Sequence, residues 1–599
     1  MRLHPASALT SVSLSRAARA LLLPLCLGAL ALPIGCDKGV APPAVVAEDL
    51  SPVKAPEGLL ADLVLPAPDA TWAKARAIVG GPAAFMPQGF GALAAMLLKL
   101  PSTAGAEIDD RMAVLGAILK KPTESYGVAI GVHVKAGDRF VDQLTKGPEA
   151  RFVEKRDELS RVRVISPKDA PAGPAAFVIG VLGNYLLVAQ TVADLHAAGP
   201  YVARTLPTRP VPKEDAVLEF PESALSGPIT AAIKKQWGAA REGIEGASAP
   251  ALPFTGAVDT VISVLTDARH ARLAVDLGTE TVKSRFVLEP KSAGGPAAKA
   301  LADMAVGDSK ALLDLPTNAL VGLTWRDSAT SRAATIEAQA TAVARMLGKA
   351  TSAEDKAEIT AAFQAEAAER GDWVALGIAL DPTGPSAMVR APIGDAARMD
   401  KALKQLVDLT KLPSAKARLA EAQLAVSAGK TVVTDLQGDV QRVRFERLDQ
   451  KDERKDDKGK AEGAGKGGKG AKAGDATAPS TIPTTIDLVY LLTQDTLFGA
   501  VGYDPREALF RLIKSGDESR LGGTPAIRAA VESLGNESSF ALVLDPLRLV
   551  AARASKPAPP TNAPLVLAIG KTGTPAVLTG KLDVATFAIQ EIVKHRGAF

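Results

Sequence analysis

The chain has 599 residues, 47% of them hydrophobic, 23% charged and 4% aromatic, with a formal net charge of +4. It is long enough for more than one core and too apolar to be disordered throughout. Lys and Arg are spread among nearly as many Asp and Glu, and aromatic rings are few. Nucleic acid binding and stacking platforms for bases or sugars are therefore not indicated.

The N-terminus carries Arg2, Arg16 and Arg19 without an acid, and Ala20 to Gly35 follows as an apolar run broken by Pro24 and Pro33. A spanning helix needs about 20 apolar residues, so the pattern predicts a secretory leader over 1–35 that is cleaved. Leu32-Pro33-Ile34-Gly35-Cys36 resembles the lipobox of bacterial lipoproteins. Gly35 and Cys36 match it, whereas Pro33 stands where Leu is usual and Leu32 comes one residue early. The resemblance implies that Cys36 is the lipidation site and that two or three hydrocarbon chains tie the protein to a membrane of the cell envelope. Cys26 would leave with the leader, so the mature chain would have no disulfide. Asp37 resembles the residue that retains some lipoproteins in the inner membrane.

Residues 36–57, rich in Pro, Ala and Val, read as a flexible tether, and a folded part begins near Gly58. From there the order of elements repeats once. Leu63 to Pro66 matches Leu313 to Pro316, which precedes a strand candidate, Ala319 to Trp325. Tyr126 to Val134 and Trp373 to Leu380 have strand character, each followed by a helix candidate, Arg139 to Leu144 and Asp395 to Leu409. Tyr185 to Gln190 runs into a helix over Ala193 to Ala203, as Leu497 to Gly502 runs into Pro505 to Ile513, with proline suited to a first helical turn. A closing hairpin, Val261 to Leu265 with Leu273 to Leu277, overlays Leu565 to Ile569 with Val577 to Lys581.

These segments predict an α+β fold with two tandem related domains, antiparallel sheets and helices packed on one face. The first repeat spans 58–306 and the second 307–599. Asp449 to Ser480 is a Lys- and Gly-rich stretch with almost no large apolar side chain, which predicts a disordered insert in the second repeat. The layout resembles bacterial envelope lipoproteins of two related copies, a resemblance that carries no activity with it.

Apparent catalytic motifs lack the context their chemistry needs. Lys571-Thr572-Gly573 and Ser427-Ala428-Gly429-Lys430 match elements of penicillin-binding proteins and β-lactamases, but that nucleophile needs Ser at a helix start with Lys one turn later. Here Ser427 is placed in a turn, Lys571 at a hairpin, and Ser533 and Asn536 have the wrong spacing for the third element. Gly463 to Lys469 has phosphate-loop spacing without the following Ser or Thr and without a preceding strand. Gly307-Asp308-Ser309 reads as a cap or linker. His133, His196, His270 and His595 have no metal-ligand spacing. Glu107, Asp109 and Asp110 read as a charged first helical turn, and Asp435 and Asp439 as flanks of a hairpin turn at Gly438. Trp72, Trp237, Trp325 and Trp373 read as packing anchors, and Phe90 to Leu100 as a helix against a sheet.

No catalytic, cofactor or metal site is thus expected, and Cys36 is the one assigned position. The expected role is that of a non-catalytic, lipid-anchored scaffold or binding surface with an envelope protein as partner. The alternatives are a carrier of lipid or another apolar ligand, and an envelope hydrolase using Lys571.

Overall fold

The computed structural model describes residues 50–594 except 122–124, 147–149, 159, 169–176, 246–261, 349–350, 382–383, 449–484 and 554–562. The leader 1–35, Cys36, residues 37–49 of the tether, the insert 449–480 with its Gly463 to Lys469 run, and His595 lie outside the described residues. Among those described, no helix is long and apolar enough to cross a membrane.

The described residues divide into two compact units, one from 50–245, 262–302 and 563–594 and the other from 303–553. The first holds β1 (Leu59–Leu65), β2 (Val114–Lys120), β3 (Tyr126–His133), β4 (Phe152–Arg156), β5 (Arg163–Pro167), β6 (Val178–Leu182) and β7 (Tyr185–Ala189). It continues with β8 (Ala216–Pro221), β9 (Ala268–Leu277) and β10 (Thr281–Pro290) and, numbered here in chain order, β19 (Leu565–Thr572) and β20 (Val577–Ala585). All pair antiparallel, in the order β4, β5, β6, β7, β3, β2, β1, β8, β9, β10, β20, β19.

Successive residues of a strand point to opposite faces, and this sheet is packed differently on its two sides. The helix Val192–Arg204, N-capped by Thr191, buries Leu195, Ala198 and Val202 with Ala117, Ala129 and Leu187 on one side. On the other side Phe140, Val141 and Leu144 of the helix Gly137–Thr145 meet Ile179, Val181 and Leu186. A further cluster, Leu225, Val264 and Ala297 with Ala271 and Leu288, covers part of β9 and β10.

The second unit holds β11 (Ala319–Arg326), β12 (Trp373–Asp381), β13 (Gly384–Pro392), β14 (Leu424–Thr431), β15 (Val440–Arg447), β16 (Thr485–Leu492), β17 (Thr496–Gly502) and β18 (Ser538–Leu544). Its antiparallel order is β14, β15, β16, β17, β13, β12, β11, β18, the same succession as β4, β5, β6, β7, β3, β2, β1, β8. Even an irregularity recurs. Register shifts between Leu59 and Ala61 in β1 and between Ala319 and Val321 in β11, each against the next strand. Bulges of this kind are specific features of a sheet. The α+β class with antiparallel sheets is therefore present in both units.

Several expected elements are found nearly in place, among them β3, β7, β11, β12, β17 and the helices Ala396–Asp408 and Pro505–Lys514. Others move. Residues 262–266 are helical where a strand was expected, because a short apolar run has no period that separates strand from helix. Leu273 to Leu277 is the second half of β9, which pairs with β10 across the turn at 278–280. Leu313 and Asp314 belong to a one-turn helix, Lys310–Asp314, and it is β11 that stands where β1 stands in the first sheet. By the same order the counterpart of β3 is β13, and β12 answers to β2.

Candidate apolar binding face

In an antiparallel sheet with one face in water, outward residues are normally polar. The second unit departs from that rule. Ala428, Val443, Leu488 and Val501 stand opposite one another from β14 to β17, and the row continues through Ala387, Ile378, Val321 and Leu544. One straight line across eight strands is apolar. On the opposite side of the same strands Ala375, Ala379, Met388, Val489 and Ala500 are buried, in the part of the sheet crossed by the helix Pro505–Lys514 with its buried Ala508, Leu509 and Leu512. On the row's own side the exposed fractions are 37% for Ile378, 47% for Leu380, 45% for Ile486 and 36% for Leu488. Alternate residues of one strand thus pass from fully buried Ala379 to open Ile378 and Leu380.

A matching row crosses the first unit. Ile165, Ile179, Val188 and Ile130 lead through Gly116 to Leu63. From Leu63 it passes to Leu218, Leu273 and Phe286, then Gly580 and Ile569. Its β5 and β6 end is buried, Leu63, Leu218, Leu273 and Phe286 are half-buried, and Ile569 is 39% exposed. Contiguous apolar surface of this kind marks an interaction site or a ligand groove.

Three charged residues described in this unit are buried, Asp62, Arg163 and Asp194. Asp62, on β1, is buried, and its Oδ2 accepts from the Tyr201 hydroxyl at 3.1 Å and from Arg209 Nη1 at 2.7 Å. Arg209 Nη2 also donates to the Tyr201 oxygen at 2.5 Å, and its guanidinium lies 5.7 Å from the ring centroid. Asp62 Oδ1 is buried without a hydrogen-bond partner among the described residues. Burial pushes the Asp62 carboxyl above the usual range while Arg209 pulls it down. Burial and the Asp62 charge push the Tyr201 phenol up. The group fastens the helix Val192–Arg204 to β1.

The residues singled out in the sequence are dispersed. Ser427 lies inside β14 and not in a turn, and in a strand residues three apart point to opposite faces, so Lys430 cannot serve it as a base. Lys430 pairs instead with Asp439. Lys571, at the end of β19, donates to the carbonyls of Leu301 at 2.6 Å and Ala302 at 3.1 Å, capping the helix Pro296–Asp303. Ser309 precedes the one-turn helix Lys310–Asp314. Asp109 and Asp110 follow a helix that ends at Glu107 and do not open one; Asp109 lies 3.5 Å from His133, and Glu107 pairs with Arg139. His196 is 3.8 Å from Asp157, and His270 is on β9. Asp435 and Gly438 have positive φ in the turn before β15, as expected of a hairpin. Trp72 is buried with its Nε1 donating to the Pro87 carbonyl, while Trp325 stands half-buried opposite Val374 and Phe540. Among the described residues no group of His, Cys, Asp and Glu could hold a metal ion.

No family model and no curated protein matches the chain. Solved structures of TP0453, a Treponema envelope protein, are similar to parts of it. Crystal form IV is 11% identical over 39% of this chain and 76% of that one with a TM-score of 0.20, and form III is 9% identical over 44% and 89% with a TM-score of 0.21. Superpositions this loose carry no argument about fold or role.

Proposed function

We propose that the protein is a non-catalytic, lipid-anchored component of the bacterial cell envelope that binds another envelope protein through the open apolar face of its second sheet. The observation that carries the reading is the eight-strand apolar row, of which Ile378 and Leu488 are open to water with Leu380 and Ile486 beside them on the same face, while Val443, Ala391 and Tyr490 on that face are buried. With somewhat less than half of each side chain in water, the four open aliphatic residues forgo about 0.5–1.5 kcal/mol each relative to full burial, a cost that a partner would remove. The anchor at Cys36 is part of the same proposal and is supported by the lipobox-like sequence.

The test is capture from crosslinked envelopes with the wild type and with an Ile378→Glu/Leu488→Glu variant. The reading expects one defined envelope protein with the wild type and its loss with the variant, at unchanged unfolding midpoint. Equal recovery by both, or no recovery by either, would count against it. A carrier of lipid or another apolar ligand is the second reading, favoured by the half-covered row at Leu63, Leu218, Leu273 and Phe286. Native mass spectrometry that found no bound lipid would remove it. A hydrolase built on Lys571 is disfavoured, because its ammonium is occupied by two helix carbonyls.

A further inference from the structure

The edge strand β14 differs in kind from the strand that holds the same place in the other sheet. β4 is five residues long and carries Glu154, Lys155 and Arg156 in succession, the charged, short design that discourages edge-to-edge pairing. β14 is eight residues long, contains no proline and carries a single charge, Lys430. It pairs with β15 on one side, and among the described residues no strand pairs with its other side. Ser427, Ala428, Gly429 and Lys430 are all exposed, and a Cβ added at Gly429 would meet nothing within 4 Å. Just beyond the strand, Val432 is 85% exposed.

We propose that β14 is the interface for a second copy of this chain, with the two β14 strands paired antiparallel about a two-fold axis at Ala428. A two-fold interface must be self-complementary, and directly opposed residues of an antiparallel pair must lie on the same face, which restricts the register to positions whose numbers sum to an even value. Centring on Ala428 keeps all eight residues of β14 in the ladder. It sets Ser427 against Gly429, Ala425 against Thr431, Val426 against Lys430, and Leu424 against Val432. Each Lys430 faces an aliphatic side chain, so no like charges oppose, and Val432 gains cover. Centring on Ser427 would draw in Gln423, whose φ of 53° is not extended, and would leave Val432 out. Joined this way, two eight-strand apolar rows, each of which ends at Ala428, become one.

Sedimentation of the purified full chain at tens of micromolar, together with oxidation of single-cysteine substitutions, tests the register. Opposed residues stand about 4.5–5.5 Å apart between Cα atoms, within disulfide reach. In a chain whose Cys26 and Cys36 are replaced by Ser, Ala428→Cys is expected to give a covalent dimer and Lys430→Cys none. Ala428→Lys places like charges opposite each other and is expected to yield monomers with an unchanged far-ultraviolet circular dichroism spectrum, whereas an equimolar mixture of Ala428→Lys and Ala428→Glu regains the dimer. A monomeric wild type, an Ala428→Lys variant that remains dimeric, or an Ala428→Cys chain that joins a different envelope protein would overturn the proposal.

Discussion

Asp62 illustrates how a buried charge depends on its partners. Its Oδ2 is held by Arg209 and Tyr201 and its Oδ1 by nothing described, so removing Arg209 leaves a carboxylate stranded against the helix. Breaking a buried pair costs about 3–5 kcal/mol. Because the Arg209 side chain is 38% exposed and partly screened by water, Arg209→Ala is expected to cost less than that, about 2–3 kcal/mol in urea unfolding at pH 7. The loss should shrink as the pH falls toward 3.8. The folded carboxyl holds its proton more tightly than the ordinary value of 3.8, so this group favours the folded state more as pH falls through its raised folded pKa toward that value. Without the guanidinium the rise is larger, and protonation relieves more. An Arg209→Ala penalty that grows on acidification would contradict this account.

Elements are placed by close backbone contact as much as by apolar pattern. A Cβ added at Gly137 would come within 1.9 Å of the Gly183 carbonyl oxygen, where the turn between β6 and β7 supports the start of the helix Gly137–Thr145 and the Asn184 side chain accepts from the Gly137 amide. Gly137→Ala should therefore destabilise by about 1–3 kcal/mol. Gly238, in the helix Thr230–Glu245, meets nothing within 4 Å, and Gly238→Ala should stabilise by about 0.5–1 kcal/mol. Thermal unfolding of the two variants checks the opposite signs.

The same scale shows what could be read without coordinates. Strands with runs of apolar residues, such as β3 and β12, and helices introduced by Asp395 or by Pro505, announce themselves through period and capping. Of the correspondences expected between the halves, that of β7 with β17 agrees with strand order, whereas those at β1 and β11 slip by about ten residues and that of β3 falls on β12 in place of β13, because pairing partners and bulges decide register and leave no local mark. The open face is harder still. Runs such as Leu488-Val489-Tyr490-Leu491-Leu492 say that both faces of β16 are apolar, the usual sign of a strand covered on both sides. Which side lacks its cover depends on helices distant in sequence. The Asp62 group is invisible for the same reason, since Tyr201 and Arg209 lie 139 and 147 residues away.

At the scale of the whole chain, the first unit is completed by residues that follow the second. β20 pairs with β10 over eight positions, from Thr281 opposite Ala585 to Leu288 opposite Leu578, and β19 pairs with β20. Ending the chain at residue 562 would leave β10 paired with β9 alone and expose its other side as a long edge, a template for aggregation. The truncated chain should unfold at lower urea and aggregate at concentrations where the full chain stays dispersed, as light scattering can show.

The account rests on the open face of the second sheet being covered by a protein partner in the envelope, and photo-crosslinking from position 488 tests that most directly. With p-benzoylphenylalanine in place of Leu488, irradiation of whole cells is predicted to give one discrete heavier adduct containing another envelope protein, absent when the probe replaces buried Val489 on the other side of β16. Adducts of the same kind from both positions, or none from Leu488, would contradict it.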